Sequence, residues 1–246
     1  MVHGAFCGGW VFEAFARPFE AAGHEVLRPD LRGHGPHDPP SAVANLSMRD
    51  YVADIVALCV DLPEPPLLIG HSLGGLVAML AASHTPVAAL ALLAPSAPWG
   101  VAVASLEEAA SALGVQMLGP FFTGPIAPDP SLIKLYGLNR ADPGVQDAAI
   151  ACLRHESGRA LGQALNWWLD PFMTTSLGAG PLRAPALAMV GEHDRIHAPA
   201  SVRRTAQRIG ADFHVLPGVG HWLLVEQQAT QIAHGVLAWA EEKAAG

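Results

Sequence analysis

A chain of 246 residues, 51% hydrophobic and 15% charged, suits one α/β domain with a substantial core and room for an insertion. Its 14 basic residues against 22 acidic ones give a net charge of -8 with no Lys/Arg cluster, which argues against nucleic acid as a partner. Cys7, Cys59 and Cys152 are odd in number and lack CxxC spacing, so neither a disulfide framework nor a zinc site is expected. Mean hydropathy is +0.29, yet the longest apolar stretch, around 87–99, is broken by Pro95 and Pro98 and is too short to span a bilayer. The first residues lack the basic segment and apolar core of a signal peptide, so the expected location is cytoplasmic.

In chain order, "MVHGAF" places a His-Gly loop motif at the third residue, leaving only Met1 and Val2 of the strand that should lead into it. Either the sheet starts late or an N-terminal piece is lacking. Val11, Phe12, Phe15, Phe19 and Ala22 recur at helical spacing, which predicts a helix over 11–22 stopped by Gly23. "HEVLRPD" reads as a short strand ending at Asp30, followed by a Gly/Pro/His-rich loop over 31–40. Ser47 and Asp50 have capping-box spacing before Tyr51, Val52, Ile55, Val56 and Cys59, predicting a helix over 47–61.

Residues 67–69 and 87–93 are fully apolar and read as buried strands flanking a helix over 73–83. Strand signals return at 186–190 and 213–216, separated by a helix near 200–209, and a last helix is predicted from about Leu223 to Lys243. This alternation predicts a mainly parallel sheet covered by helices on both faces. Residues 97–180 break the rhythm: they are helical in patches, rich in Gly and Pro, and carry Trp99, Phe121, Phe122, Tyr136, Trp167, Trp168 and Phe172. They are expected to form a mainly helical lid inserted into a core made of 1–96 and 181–246.

The chemistry-bearing residues sit at the junctions. Gly70-His71-Ser72-Leu73-Gly74 follows an apolar strand and opens a helix, the strand-turn-helix setting of a nucleophile elbow. Its glycines are expected because such a turn strains the serine backbone and brings strand and helix too close for side chains. A serine hydroxyl needs a base to take its proton. Among 12 histidines, His221 stands out in "LPGVGHWLLVE", a Gly-flanked loop after the last strand, on the sheet edge that carries Ser72. His24, His84, His155, His214 and His234 read as surface or core residues, and His71, inside the elbow, as structural. An acid must orient the base. "AMVGEHDRIHAP" offers Asp194, with Glu192 as rival, and Asp194 is preferred because it follows the strand by a short turn that can point inward. Oxyanion donors are expected from the amide of Leu73 and from Ala5, with Phe6 as the alternative.

"HGAFCGGW", "DLRGHG", "GHSLGG", "GEHDRIHAP" and "GVGHWLLVEQ", in this order, resemble the α/β-hydrolase superfamily. Within it they are similar to small esterases grouped with plant methylesterases, hydroxynitrile lyases and bacterial carboxylesterases. The resemblance implies Ser72 as nucleophile, Asp194 and His221 as its partners, and Ala5 with Leu73 as the oxyanion site. The lyases carry Thr after the first His and Lys after the triad His; Gly4 and Trp222 stand there in this chain, which argues against cyanohydrin cleavage. Serine as nucleophile argues against epoxide hydrolases and haloalkane dehalogenases of the fold, which use Asp.

The expected substrate is a small-molecule ester with apolar groups, since the lid carries aromatics and no basic cluster. Phe121, Phe122, Trp167 and Trp168 either line its pocket or hold the lid together. Phe6 and Cys7 beside the oxyanion loop and Trp222 beside the base complete the candidate lining, while Arg32 and His34 are expected to order a loop. No metal or organic cofactor is called for. A lactone, thioester, amide or carbon-carbon bond as the point of cleavage stays open, as do a ligand-binding protein with little turnover and a monomeric or homodimeric state.

Overall fold

The computed structural model describes residues 1–119, 123–178 and 182–245. A single turn of 3-10 helix (Gly9–Phe12) leads into α1 (Glu13–Ala21), whose Phe15, Ala16 and Phe19 are buried, and Gly23 follows at a φ of 89°. The strand expected over "HEVLRPD" does not form. A ladder needs successive backbone partners, and the stretch makes isolated contacts instead: the Met1 ammonium donates to the Leu27 carbonyl at 2.7 Å and the Gly9 amide to the Asp30 side chain at 2.7 Å. Val2 itself bridges Gly70 as a stub of parallel strand.

α2 (Met48–Asp61) starts at the predicted capping box: the Ser47 hydroxyl accepts from the Arg49 amide at 3.1 Å, and Asp50 accepts from the Ser47 amide at 2.7 Å. β1 (Leu67–His71), α3 (Leu73–Ala82) and β2 (Ala89–Leu93) follow as read from the sequence. The segment expected as a lid contains α4 (Leu106–Gln116), β3 (Pro125–Ile126), a short α5 (Pro130–Leu132) running into a π-helical turn (Ile133–Gly137), α6 (Pro143–Ala151), β4 (Glu156–Ser157) and α7 (Gly158–Leu165). β3 and β4 pair antiparallel apart from the main sheet. The chain then returns through β5 (Ala186–Gly191), α8 (Pro199–Ile209), β6 (Asp212–Leu216) and α9 (Ala229–Ala245).

The main sheet is parallel in the order β1-β2-β5-β6. β2 and β5 are buried throughout, hence their unbroken apolar sequences, whereas β6 at the edge alternates with polar residues and is largely exposed. Right-handed crossovers place α3 and α8 on one face, and the packed pair α1 and α9 closes the other. The last helix begins at Ala229, not near Leu223. Val225 and Ala229 donate to carbonyls three residues back, so 222–229 runs as tight turns that bury Leu223 and Leu224. The Glu226 carboxylate is meanwhile engaged by the Gly220 amide.

Replacing the cap of α2, Ser47→Ala, is expected to cost about 1 kcal/mol, read as a fall in Tm of about 2–4 °C.

Candidate active site

Ser72 sits between β1 and α3 with φ 53° and ψ -122°, a conformation a non-glycine residue adopts only under constraint. The constraint is visible on every side. Its amide donates to the Leu93 carbonyl at 3.0 Å, and its carbonyl accepts from Gly75 at 2.9 Å and Ser96 at 2.9 Å. A Cβ on Gly74 would overlap the carbonyls of Val2 and His3, and one on Gly70 would strike the Gly74 backbone and come within 2.8 Å of the Ala78 Cβ. The two glycines are therefore what allow β1, α3 and the 2–3 backbone to meet at this turn.

His221 Nε2 lies 3.1 Å from Ser72 Oγ, and His221 Nδ1 lies 2.9 Å from Asp194 Oδ2. A carboxylate only accepts, so Nδ1 carries the proton and Nε2 is left to accept from the serine. Asp194 Oδ1 takes the amides of Ile196 and His197, both at 2.8 Å. Burial opposes its charge, but the His221 ring and these bonds hold its carboxyl below the ordinary value. Glu192, the rival acid, is half exposed and turned away, accepting from the Gly218 amide. His71 has a definite task the sequence did not reveal: its Nε2–H donates to the His221 carbonyl at 3.0 Å, tying the turn at Ser72 to the loop that carries His221. Burial, then the neighbouring His221, lower its pKa to about 3, so it stays neutral.

Ala5 and Phe6 border the same space, and Leu73 opens α3, where first-turn amides have no intrahelical acceptor. Phe6 has a φ of 63°, and its carbonyl accepts from the Arg154 amide at 2.8 Å. The loop is also held from below, because His3 Nε2 accepts from the Leu31 amide at 2.9 Å. Arg32 pairs with Asp54 on the surface, whereas His34 is buried against Glu156. His34 Nδ1–H donates to the Arg32 carbonyl and Nε2–H to Glu156 Oε2, both at 3.1 Å, so both ring nitrogens are donors and the ring is an imidazolium. Tyr51 O–H and the Ser157 amide each donate to Glu156 Oε1 at 2.7 Å. Nothing in the sequence marked Glu156, which lies 122 positions from His34.

Ser72, His221, Ala5 and Leu73 open onto a cavity of about 430 Å³. Of the residues proposed for its lining, Phe6, Cys7, Trp167, Trp168 and Trp222 are there; Phe121 and Phe122 lie outside the described residues. Trp167 packs edge-on against both Trp99 and Trp168, so these rings hold one another in place, and Trp167 and Trp168 also face the cavity. Sequence reasoning missed Val101, Leu113, Leu161 and Ile196 in the wall, and the polar Ser96, Glu108 and His197. Among the described residues, no group of three or more His, Cys, Asp or Glu side chains is placed to hold a metal ion. No helix among them is long and apolar enough to cross a membrane.

The alpha/beta hydrolase family model matches residues 1–234, and the chain belongs to that family. A monoacylglycerol lipase of Mycolicibacterium smegmatis is 27% identical over 242 residues, covering 91% of this chain and 80% of the lipase. A carbendazim hydrolysing esterase of a Nocardioides species is 35% identical over 79 residues, 31% of this chain and only 32% of that protein's length. Among solved structures, an Arabidopsis methylesterase superposes with a TM-score of 0.72 over 97% of both chains at 20% identity. Tomato methylketone synthase I, complexed with 2-tridecanone, reaches 0.75 over 98% of this chain and 96% of its own at 19% identity.

The His34–Glu156 pair carries a pH signature. Burial works against both charges, but each partner's charge and hydrogen bonds prevail: Glu156 lies below its ordinary 4.5 and His34 above its ordinary 6.5. Stability from Glu156 is present above pH 4.5 and lost as pH falls through its folded value; that from His34 is complete below pH 6.5 and lost as pH rises through its folded value. Urea unfolding of Glu156→Gln is therefore expected to show a deficit of about 3 kcal/mol near pH 5.5, narrowing in more alkaline buffer.

Proposed function

We propose that this chain is a serine hydrolase that cleaves carboxylic esters with apolar small or medium groups through an acyl-enzyme. The observation that carries the reading is the hydrogen-bonded line Ser72–His221–Asp194 at the base of a mainly apolar cavity. Ser72 Oγ attacks the ester carbonyl as His221 Nε2 takes its proton, and the Asp194 carboxylate stabilises the imidazolium through Nδ1–H. The negative oxygen of the tetrahedral intermediate rests on the Leu73 and Ala5 amides. His221 then delivers its proton to the leaving alcohol. In the second half, water gives its proton to His221 as it attacks the acyl group, and on collapse of the second tetrahedral intermediate His221 returns that proton to Ser72 Oγ, releasing the acid.

Residues 97–180 act as the lid of this site. Support comes from their contribution to the cavity wall, with Trp167 and Trp168 among the lining, and from the bond between the Arg154 amide and the Phe6 carbonyl. The bulk of the lining is aliphatic or aromatic, which suits an acyl or alcohol group without charge. The lipase and esterase activities for which the relatives are named agree with this assignment.

Hydrolysis of p-nitrophenyl esters of increasing acyl length tests the reading and sizes the pocket. Ser72→Ala is expected to lower kcat/KM by about 10⁴-fold or more, and Asp194→Asn to lower kcat by about 10⁴-fold by reversing the tautomer of His221. Glu192→Gln retains activity. A folded wild-type protein that turns over no member of the series, but is stabilised by one of them, would point instead to a binding protein.

A further inference from the structure

Ser96 and His197 take no part in the proposed proton relay, yet both line the cavity in which it operates. Ser96 follows β2 and is anchored beside the nucleophile by its amide, which donates to the Ser72 carbonyl at 2.9 Å. Its Oγ lies 3.0 Å from His197 Nε2, and both side chains are buried. Behind them stands Glu108. Its Oε2 accepts from the Ala104 amide at 2.8 Å and from the Ser201 hydroxyl at 2.7 Å, and its Oε1 lies 4.0 Å from His197 Nδ1. A buried serine, histidine and carboxylate thus stand beside the proposed relay in a mainly apolar wall.

The Ser96–His197 pair meets one hydrogen bond internally and leaves the remaining capacity of the Ser96 hydroxyl toward the cavity, which a wholly apolar ligand would cover without a partner, at a cost. The pair suits a ligand that brings a matching polar atom. Burial, then the nearby His221, hold His197 neutral with a pKa of about 3, so its ring has one N–H. With that proton on Nδ1, facing Glu108, Nε2 accepts the Ser96 proton and the serine oxygen offers lone pairs to the cavity. With the proton on Nε2, the ring donates to Ser96 and the serine O–H is free to donate. A hydroxyl, donor and acceptor in one atom, satisfies either arrangement. A carboxylate does not, since Glu108 lies behind the pair.

The place of the pair also decides which half of the substrate it meets. The His197 ring stands edge-on to His221 with centroids 5.2 Å apart. His221 is the group that protonates the leaving oxygen, so what flanks it flanks the alcohol portion.

We propose that Ser96 and His197 form a hydroxyl-recognising subsite beside the leaving group, selecting esters whose alcohol carries a second hydroxyl close to the ester oxygen. This rests on the ester-hydrolase reading above.

The test compares hydrolysis of 2-hydroxyethyl butanoate with that of the near-isosteric propyl butanoate, followed by acid release. Each kcat/KM is divided by the ester's rate of hydroxide-catalysed hydrolysis. Wild type is expected to favour the hydroxyethyl ester by about tenfold, the discrimination one buried hydrogen bond supplies, and Ser96→Ala and His197→Leu to bring the ratio to about one. Damage to packing alone lowers both rates and leaves the ratio in place. A wild-type ratio near one, or variants that keep the wild-type ratio, overturns the subsite while leaving ester hydrolysis standing. If folded wild type hydrolyses neither butanoate nor any p-nitrophenyl ester, the hydrolase reading falls and the subsite with it.

Discussion

The strained backbone of Ser72 is the constraint on which the rest of the structure depends. A serine at φ 53° is held only because β1 ends and α3 begins within one residue, with Gly70 and Gly74 giving up their side chains so that two backbone segments can touch. The energy of that conformation, about 1–3 kcal/mol, is offset by the bonds to Leu93, Gly75 and Ser96 and by the largely buried strand and helix on either side. What the strain achieves is exposure of one hydroxyl at the carboxyl edge of a parallel sheet, with the first amides of α3 pointing the same way.

Other loops are assembled onto this turn by backbone contact and not by their side chains alone. His71 ties the elbow to the His221 carbonyl. Gly191 approaches the carbonyls of Val219 and Gly220 so closely that no side chain fits, which brings the loop of Asp194 against the loop of His221. Glu226 then takes the Gly220 amide and closes the arrangement. The distances of 2.9 and 3.1 Å along Asp194, His221 and Ser72 are consequences of these backbone approaches.

The segment around β4 is coupled to the same centre by a different kind of force. Glu156 in β4 is fully buried against His34 and Tyr51, and two residues before it the Arg154 amide holds the Phe6 carbonyl. A charged pair in that position contributes little net stability compared with apolar packing, but it penalises any arrangement that separates its members. It therefore specifies where the insertion sits relative to the loop proposed to bind the oxyanion.

The sequence by itself determined the elements whose signals are local. The apolar runs of β1, β2 and β5, the capping box of α2 and the glycines around Ser72 are short-range patterns set by neighbours a few residues apart, and the order Ser72, Asp194, His221 could be read from the loops that follow strands. The strand expected at "HEVLRPD" and the early start of α9 failed for the converse reason: a ladder requires a partner distant in sequence, and the turns over 222–229 are dictated by the Gly220 loop. Only the tertiary structure decided that Glu156 meets His34, that His71 supports His221, and that Ser96, Glu108 and His197 share one wall. These contacts span 89 to 150 positions, and no periodicity or spacing encodes a meeting that depends on how the insertion folds back over the sheet.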